Sequence, residues 1–337
     1  MITPQLPPQA NPQNPIENIQ LNMSKVDESA LQHSGESSVI AKLILRYLTQ
    51  RTINENEAKQ ILTGVTLYDM RSGQGILQHN ENTEHFAASV NKLPVTMLTL
   101  EELRAGRISL NTVLTWQESD RRAGAGTLDV AGGPLSATVG EVITDLLTRS
   151  GNTAVRILVN GVLHGAAATN NRLAMVPELE HTRLIVLDSN RFYLGNTTSK
   201  EAMFVMRQLM SNQDAFGSYV KQALVNNIYS DIGVKSQLAG NDFIVLVNKI
   251  GQLNDPDGDN RHDVGVVYNT RTHKSYGFSY LTTSPSGAGV TQAAEQSLRD
   301  MGRYMLRFSG DWPAHTQSAP HMLRQAPAQP EQGKLLY

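Results

Sequence analysis

The chain of 337 residues contains no cysteine. It can therefore form no disulfide, no thiolate zinc site and no cysteine nucleophile, although either redox compartment tolerates such a chain. Long apolar runs are also missing. None approaches the roughly 18–20 residues that span a bilayer. The first residues show neither a basic n-region nor an apolar h-region, so neither a transmembrane segment nor an export signal is expected in the chain given. No sign of charge prevails: 29 Lys and Arg stand against 31 Asp and Glu. That balance removes the long-range attraction a phosphate backbone or an anionic membrane requires, so nucleic acid is not an expected partner. The 9 histidines are scattered, which leaves no zinc cluster, and neither metal nor cofactor is expected.

Apolar residues make up 40% of the chain and charged ones 18%, enough for a sizeable core. Residues 1–37 open with a Pro-, Gln- and Asn-rich stretch without apolar period, and residues 311–337 are similar. Both read as disordered ends, as suited to a tether as to an unselected tail. One compact body, residues 38–310, lies between them.

In that body, Val39, Ile40, Leu43, Ile44 and Leu48 share a helical face. The segment TGVTLYDMRSGQGILQHN holds two strands about a turn at Arg71–Gly75. Three more strands, DFIVLVNKIG, DVGVVYN and KSYGFSYLTT, precede a closing amphipathic helix, TQAAEQSLRDMGRYMLRF. Strands at both ends with helices between predict an α+β fold, one sheet built from distant segments with a helical portion inserted. Within that portion, Thr138 and Glu141 form a capping box, and Ser150-Gly151-Asn152 is a tight turn between two helices.

Ser89 stands just before a very apolar helix and Lys92 three residues later, on the same face. A serine hydroxyl attacks only when a base takes its proton, and a desolvated lysine of lowered pKa can be that base. Alone, this spacing is commonplace. Followed in order by Ser150-Gly151-Asn152 and by Lys249-Ile250-Gly251 at a strand end, it resembles the S-x-x-K, S-D-N and K-T-G set of class A β-lactamases and penicillin-binding proteins. The likeness covers roughly residues 40–308: opening hairpin, nucleophile helix, all-α subdomain and the helix GNTTSKEAMFVMRQLM.

The resemblance implies a β-lactamase-like fold, with an antiparallel sheet flanked by helices. It implies a serine hydrolase that forms an acyl-Ser89 intermediate on a β-lactam or a D-alanyl peptide. Ser89 would be the nucleophile and Lys92 its activator. Ser150 would shuttle a proton to the leaving nitrogen, Asn152 would hold the substrate amide, and Lys249 would attract the substrate carboxylate. The N–H groups of Ser89 and Gln252, the latter after Gly251, would form the oxyanion hole, and Arg261 stands where some members bind a carboxylate. A monomer in an extracytoplasmic compartment is the matching expectation.

Three departures stand out. Gly151 replaces the usual Asp, and Ile250 replaces a hydroxyl residue that would bond a substrate carboxylate. The stretch HTRLIVLDSNRFYLGNTTSK, where the family carries an Ω-loop with a deacylating glutamate, is shorter and contains no Glu. Its one carboxylate, Asp188, is the possible base; Glu178 and Glu180 precede it and read as a solvated turn. Slow deacylation is expected. A non-turnover penicillin- or peptidoglycan-binding module and an esterase on the same fold are the alternatives. Asp255, Asp257 and Asp259 are spaced like the start of a calcium loop, but Val266 stands where its bidentate Glu belongs. A solvated hairpin loop is the expected reading.

Overall fold

A computed structural model describes residues 38–309 apart from 189–190, 230, 239–240 and 256–257. The two expected disordered ends lie outside the described residues. Helix α1 (Ser38–Glu57) leads into β1 (Leu62–Asp69) and β2 (Gln74–His79), and a short β3 (His85–Phe86) precedes α2 (Lys92–Arg104). The inserted portion holds β4 (Val113–Thr115), β5 (Ser136–Thr138), α3 (Val139–Thr148), α4 (Asn152–Gly161) and α5 (Ala166–Leu173). Next come β6 (Arg183–Val186), β7 (Phe192–Thr197), α6 (Ser199–Ser211) and α7 (Ala215–Val225). The chain closes with β8 (Ile244–Asp255), β9 (Gly258–Asn269), β10 (Ser275–Ser284) and α8 (Ala288–Ser309).

The main sheet has five strands in the order β2-β1-β10-β9-β8, all antiparallel, so the first and last thirds of the body zip together as the α+β reading requires. Alternation along the strands builds two cores. Leu67, Leu246, Val267 and Phe278 pack with Leu45 and Ile53 of α1 and with Leu298, Met301 and Met305 of α8. Val247, Val264 and Val266 join a second core with Leu93 and Leu98 of α2, Ile143 and Leu146 of α3, and Met203 and Met206 of α6. The site lies where this second core meets the free edge of β8.

The capping box forms as the sequence predicts. Thr138 Oγ1 accepts from the Glu141 N–H at 3.2 Å, and the Glu141 carboxylate accepts from the Thr138 N–H at 2.7 Å. Two expectations are corrected. The strands reach further into the polar stretch before Asp263 than expected: β8 runs to Asp255 and β9 starts at Gly258, the two paired as an antiparallel hairpin. Asp259 and Asn260 are buried because neighbouring elements satisfy them, Thr291 of α8 donating to Asp259 and Thr283 of β10 donating to Asn260 Oδ1 at 2.9 Å. Asp257 lies outside the described residues. The stretch expected as a shortened Ω-loop forms the β6–β7 hairpin, in one sheet of order β3-β7-β6, because Leu184, Phe192 and Leu194 bury an alternating apolar face.

Candidate active site

Ser89 sits in a 3-10 turn, Ala88–Asn91, whose last residue leads directly into α2. Ala88 takes a left-handed φ of 45°, an uncommon conformation for a residue with a Cβ. Neighbours hold this turn in place: the Ala87 N–H donates to Gly195 O at 2.7 Å, and the Asn91 amide donates to Asn196 O at 2.9 Å. The free edge of β8 approaches from the other side. A Cβ on Gly251 would stand 3.0 Å from Ala87 O and 3.1 Å from Val90 Cγ2, so glycine there lets the edge strand close on the turn.

Five residues from three distant segments of the chain are hydrogen-bonded together. Lys92 Nζ lies 3.1 Å from Ser89 Oγ, 3.2 Å from Ser150 Oγ, 2.6 Å from Ser150 O and 2.8 Å from Asn152 Oδ1. Lys249 Nζ donates to Ser150 Oγ at 2.8 Å and to Ile250 O at 2.9 Å. Ser150 can stand between the two amines because it adopts a left-handed φ of 58°. For an L-residue that costs about 1–2 kcal/mol, which the surrounding hydrogen bonds must offset.

Both amines are fully buried, and burial disfavours an ammonium ion. Lys92 is thereby pulled down to about 7, against the opposing pull of the Asp129 and Asp145 carboxylates. Lys249 is lowered well below its ordinary value by burial and by the Lys92 charge, with Asp263 opposing. Asp263, buried on β9, is itself pushed up to about 7 by desolvation; it accepts from Asn248 Nδ2 at 2.8 Å and from the Val234 N–H at 2.9 Å. At neutral pH Lys92 is thus divided between amine and ammonium. A neutral amine 3.1 Å from a half-buried hydroxyl can take its proton.

The other expected residues divide. Asn152 joins the cluster, but its amide is spent inside, with Oδ1 on Lys92 and Nδ2 donating to Ala123 O at 2.7 Å. Gly251 and the half-buried Gln252 line the β8 edge. Arg261 does not come to the site, which corrects the expectation. Its guanidinium meets Glu295 of α8 at 2.9 Å and donates to Leu253 O, Asn260 O and Asn254 Oδ1, because its side chain leaves the sheet on the α8 side. Asp188 is exposed and ion-paired with Arg191 three residues on at 2.5 Å. Glu178 and Glu180 are exposed, as expected.

Sequence reasoning missed three groups. Asp129 accepts from the N–H groups of Asn152 and Thr153 at 3.1 and 2.7 Å, capping α4 beside the cluster. Asp129 is half-buried, and Asp145 is a buried carboxylate beside it. His262 lies opposite Gly251 in register: Nδ1 accepts the Thr282 N–H at 3.1 Å, so Nε2 carries the proton and donates to Phe86 O at 2.8 Å. The alternating glycines of AGAGTLD, residues 123–129, were the available signal for the two carboxylates. A Cβ on Gly124 would meet Asp129 Oδ2 at 2.3 Å, and one on Gly126 would meet Asp145 Oδ2 at 2.4 Å.

No curated protein sequence matches the chain. Solved structures share its fold. A β-lactamase from Sphaerobacter thermophilus aligns at TM-score 0.66 and 20% identity over 79% of this chain and 98% of that one. An ancestral class A β-lactamase aligns at 0.63 and 19% over 77% and 98%. The L158E mutant of PBP-A, in an acyl-enzyme complex with penicillin G, aligns at 0.64 and 18% over 77% and 96%. The model of the β-lactamase enzyme family matches residues 47–308, and with three quarters of its length so covered the chain belongs to that family.

Proposed function

We propose that the chain is a serine acyl-transfer hydrolase of the β-lactamase and D,D-peptidase type, slow to deacylate. One observation carries the reading: Lys92, buried and held near 7, lies within hydrogen-bond distance of both Ser89 Oγ and Ser150 Oγ. The neutral amine takes the Ser89 proton as Oγ attacks the substrate amide carbon. The negative charge on the carbonyl oxygen meets the N–H groups of Ser89 and Gln252, each such donor typically worth about 3 kcal/mol. As the C–N bond breaks, Ser150 passes its proton to the leaving nitrogen and is resupplied from the Lys92 ammonium. Lys249 keeps the Ser150 hydroxyl oriented at 2.8 Å and supplies positive field for a substrate carboxylate.

Hydrolysis of the ester needs a second base, and the β6–β7 hairpin offers only Asp188, which Arg191 engages. Slow deacylation follows, and a long-lived adduct also suits the reading as a non-turnover binding module. A β-lactam or D-alanyl peptide as substrate, a monomeric state and an extracytoplasmic location belong to the same proposal. The test is intact-mass detection of a penicillin G adduct on the full chain. The adduct should form on the wild type, persist for many minutes, and be absent from a folded Ser89→Ala variant. An adduct surviving in that variant removes Ser89 from the mechanism. Sub-second turnover, slowed by about 10²–10⁴ in Asp188→Asn, would make Asp188 a working base and overturn slow deacylation.

A further inference from the structure

Gly151 stands between Ser150 and Asn152, where the resembling motif carries an aspartate. Its backbone, at φ −53° and ψ 128°, suits any L-residue, so conformation does not demand glycine. Space does. A Cβ built there falls 2.1 Å from Asp145 Oδ2 and 3.0 Å from its carboxyl carbon, while the next neighbour, Ala154 Cβ, is at 3.1 Å. Asp145 sits one turn before the end of α3 and is 4% exposed. Its Oδ1 accepts from the Thr127 N–H at 2.6 Å and from Thr127 Oγ1 at 2.7 Å; its main-chain oxygen accepts the Gly151 N–H at 3.1 Å. Its Oδ2 is buried against Gly151 and Gly126 with no hydrogen-bond donor among the described residues.

We propose that Asp145 is the positioning carboxylate of the Ser150-Gly151-Asn152 turn, delivered from helix α3 into the volume that a side chain at 151 would fill. This deepens the acyl-transfer reading and rests on it for its catalytic consequence. The carboxylate is held by Thr127 through Oδ1 and packs its Oδ2 into the space beside Gly151, and by filling that space it helps hold Ser150 in the left-handed conformation that aims its hydroxyl at Lys92 and Lys249. It also places a negative charge behind Lys92. The ionisable groups around this turn are Lys92 on α2, Lys249 on β8, Asp129 on the segment before β5, the exposed Arg149 at the end of α3, and Tyr229, whose phenol burial pushes up to about 12 and keeps neutral. Asp129 does a different job, capping α4, and cannot stand in for Asp145.

A thermodynamic cycle tests the exchange in the full chain. Asp145→Ala and Gly151→Asp should each lower the thermal midpoint by several degrees, the first by removing the clamp and the second by forcing two carboxylates into one space. The double variant, with a single carboxylate on the other backbone, should recover most of the loss in midpoint and return penicillin acylation to within about tenfold of wild type, the non-additivity expected of groups that share one space. Additive losses would overturn the proposal. Asp145→Asn, which keeps the shape and removes the charge, should shift the Lys92 titration followed by carbon-13 NMR downward by at least about half a unit. An unmoved titration would reduce Asp145 to a packing residue. Midpoints and titration need no substrate, so they decide this proposal even if the wild type takes up no penicillin, the outcome that would sink the acyl-transfer reading instead.

Discussion

Lys92 should make acylation of Ser89 titrate close to neutrality. An ordinary lysine, with a pKa near 10.4, is neutral in roughly one molecule in 2,500 at pH 7. Burial holds Lys92 at about 7, so half of the molecules carry the free amine there. The neutral fraction falls to about a tenth at pH 6 and rises to about nine tenths at pH 8, so the acylation rate should climb roughly fivefold over the first interval and twofold over the second. Lys92→Arg separates proton transfer from charge. A guanidinium cannot give up its proton in this range, so the cation remains while the base is lost. The rate should fall by about 10²–10⁴, the usual worth of a general base, with little change in initial penicillin affinity. Rapid-quench mass spectrometry of the Ser89 adduct as a function of pH measures both, with thermal melts verifying that the variant folds. A flat rate between about pH 6 and 8, or an arginine variant acylated at the wild-type rate, would refute the assignment of Lys92 as the base.

Lys249→Ala removes one of the two amines bonded to the Ser150 hydroxyl and should weaken both initial binding and acylation in stopped-flow titrations; a change in affinity alone would remove the orienting role of Lys249 in acylation. Arg261→Leu should lower the thermal midpoint, since it leaves Glu295 without its partner, yet leave penicillin affinity unchanged; a large affinity loss would bring Arg261 back into the site. Burial holds His262 at about 4 and His85 at about 3, below the 6.5 of the unfolded chain. The unfolded state therefore binds protons first, and stability present above 6.5 is lost as pH falls from there toward 4. At pH 5 each imidazole costs about 2 kcal/mol. Asp263, raised to about 7, acts in the opposite sense, so the test is differential. His85→Asn should flatten the change in urea-unfolding free energy between pH 7 and 5 by about 2 kcal/mol, and an unaltered slope would contradict the buried-neutral assignment.

The legible parts of the molecule were those set by local rules. The Thr138 capping box, the turn between α3 and α4, and the hairpin at Arg71–Gly75 need only near neighbours, and each forms where the residues place it. The order of Ser89, Lys92, Ser150 and Lys249 along the chain pointed to one cluster, and the sheet topology brings them together. Interactions between distant segments were not legible. Asp145 looks like the polar face of an amphipathic helix until the 123–129 segment folds over it. The run from Asp255 to Asp263 looks like a solvated loop because its polarity is that of a turn. Cross-strand and α8 partners that the local sequence does not announce satisfy Asp259, Asn260 and Asp263.

A single step of register on β9 decides which charge reaches the site. Gly251 faces His262 across the β8–β9 pair, Gln252 faces Arg261 and Ile250 faces Asp263. Side chains alternate sides along a strand, so His262 and Val264 share one face and Arg261 and Asp263 the other. The first face turns toward the Ser89 turn, where His262 anchors the Phe86 carbonyl. The second turns toward α8 and the segment at Val234, where Arg261 finds Glu295 and Asp263 finds a main-chain donor. An arginine at 262 would have entered the site; one residue earlier, the same cation is built into the scaffold. Lys249 is consequently the cation that β8 and β9 deliver to the cluster, and it is already bonded to Ser150 and Ile250.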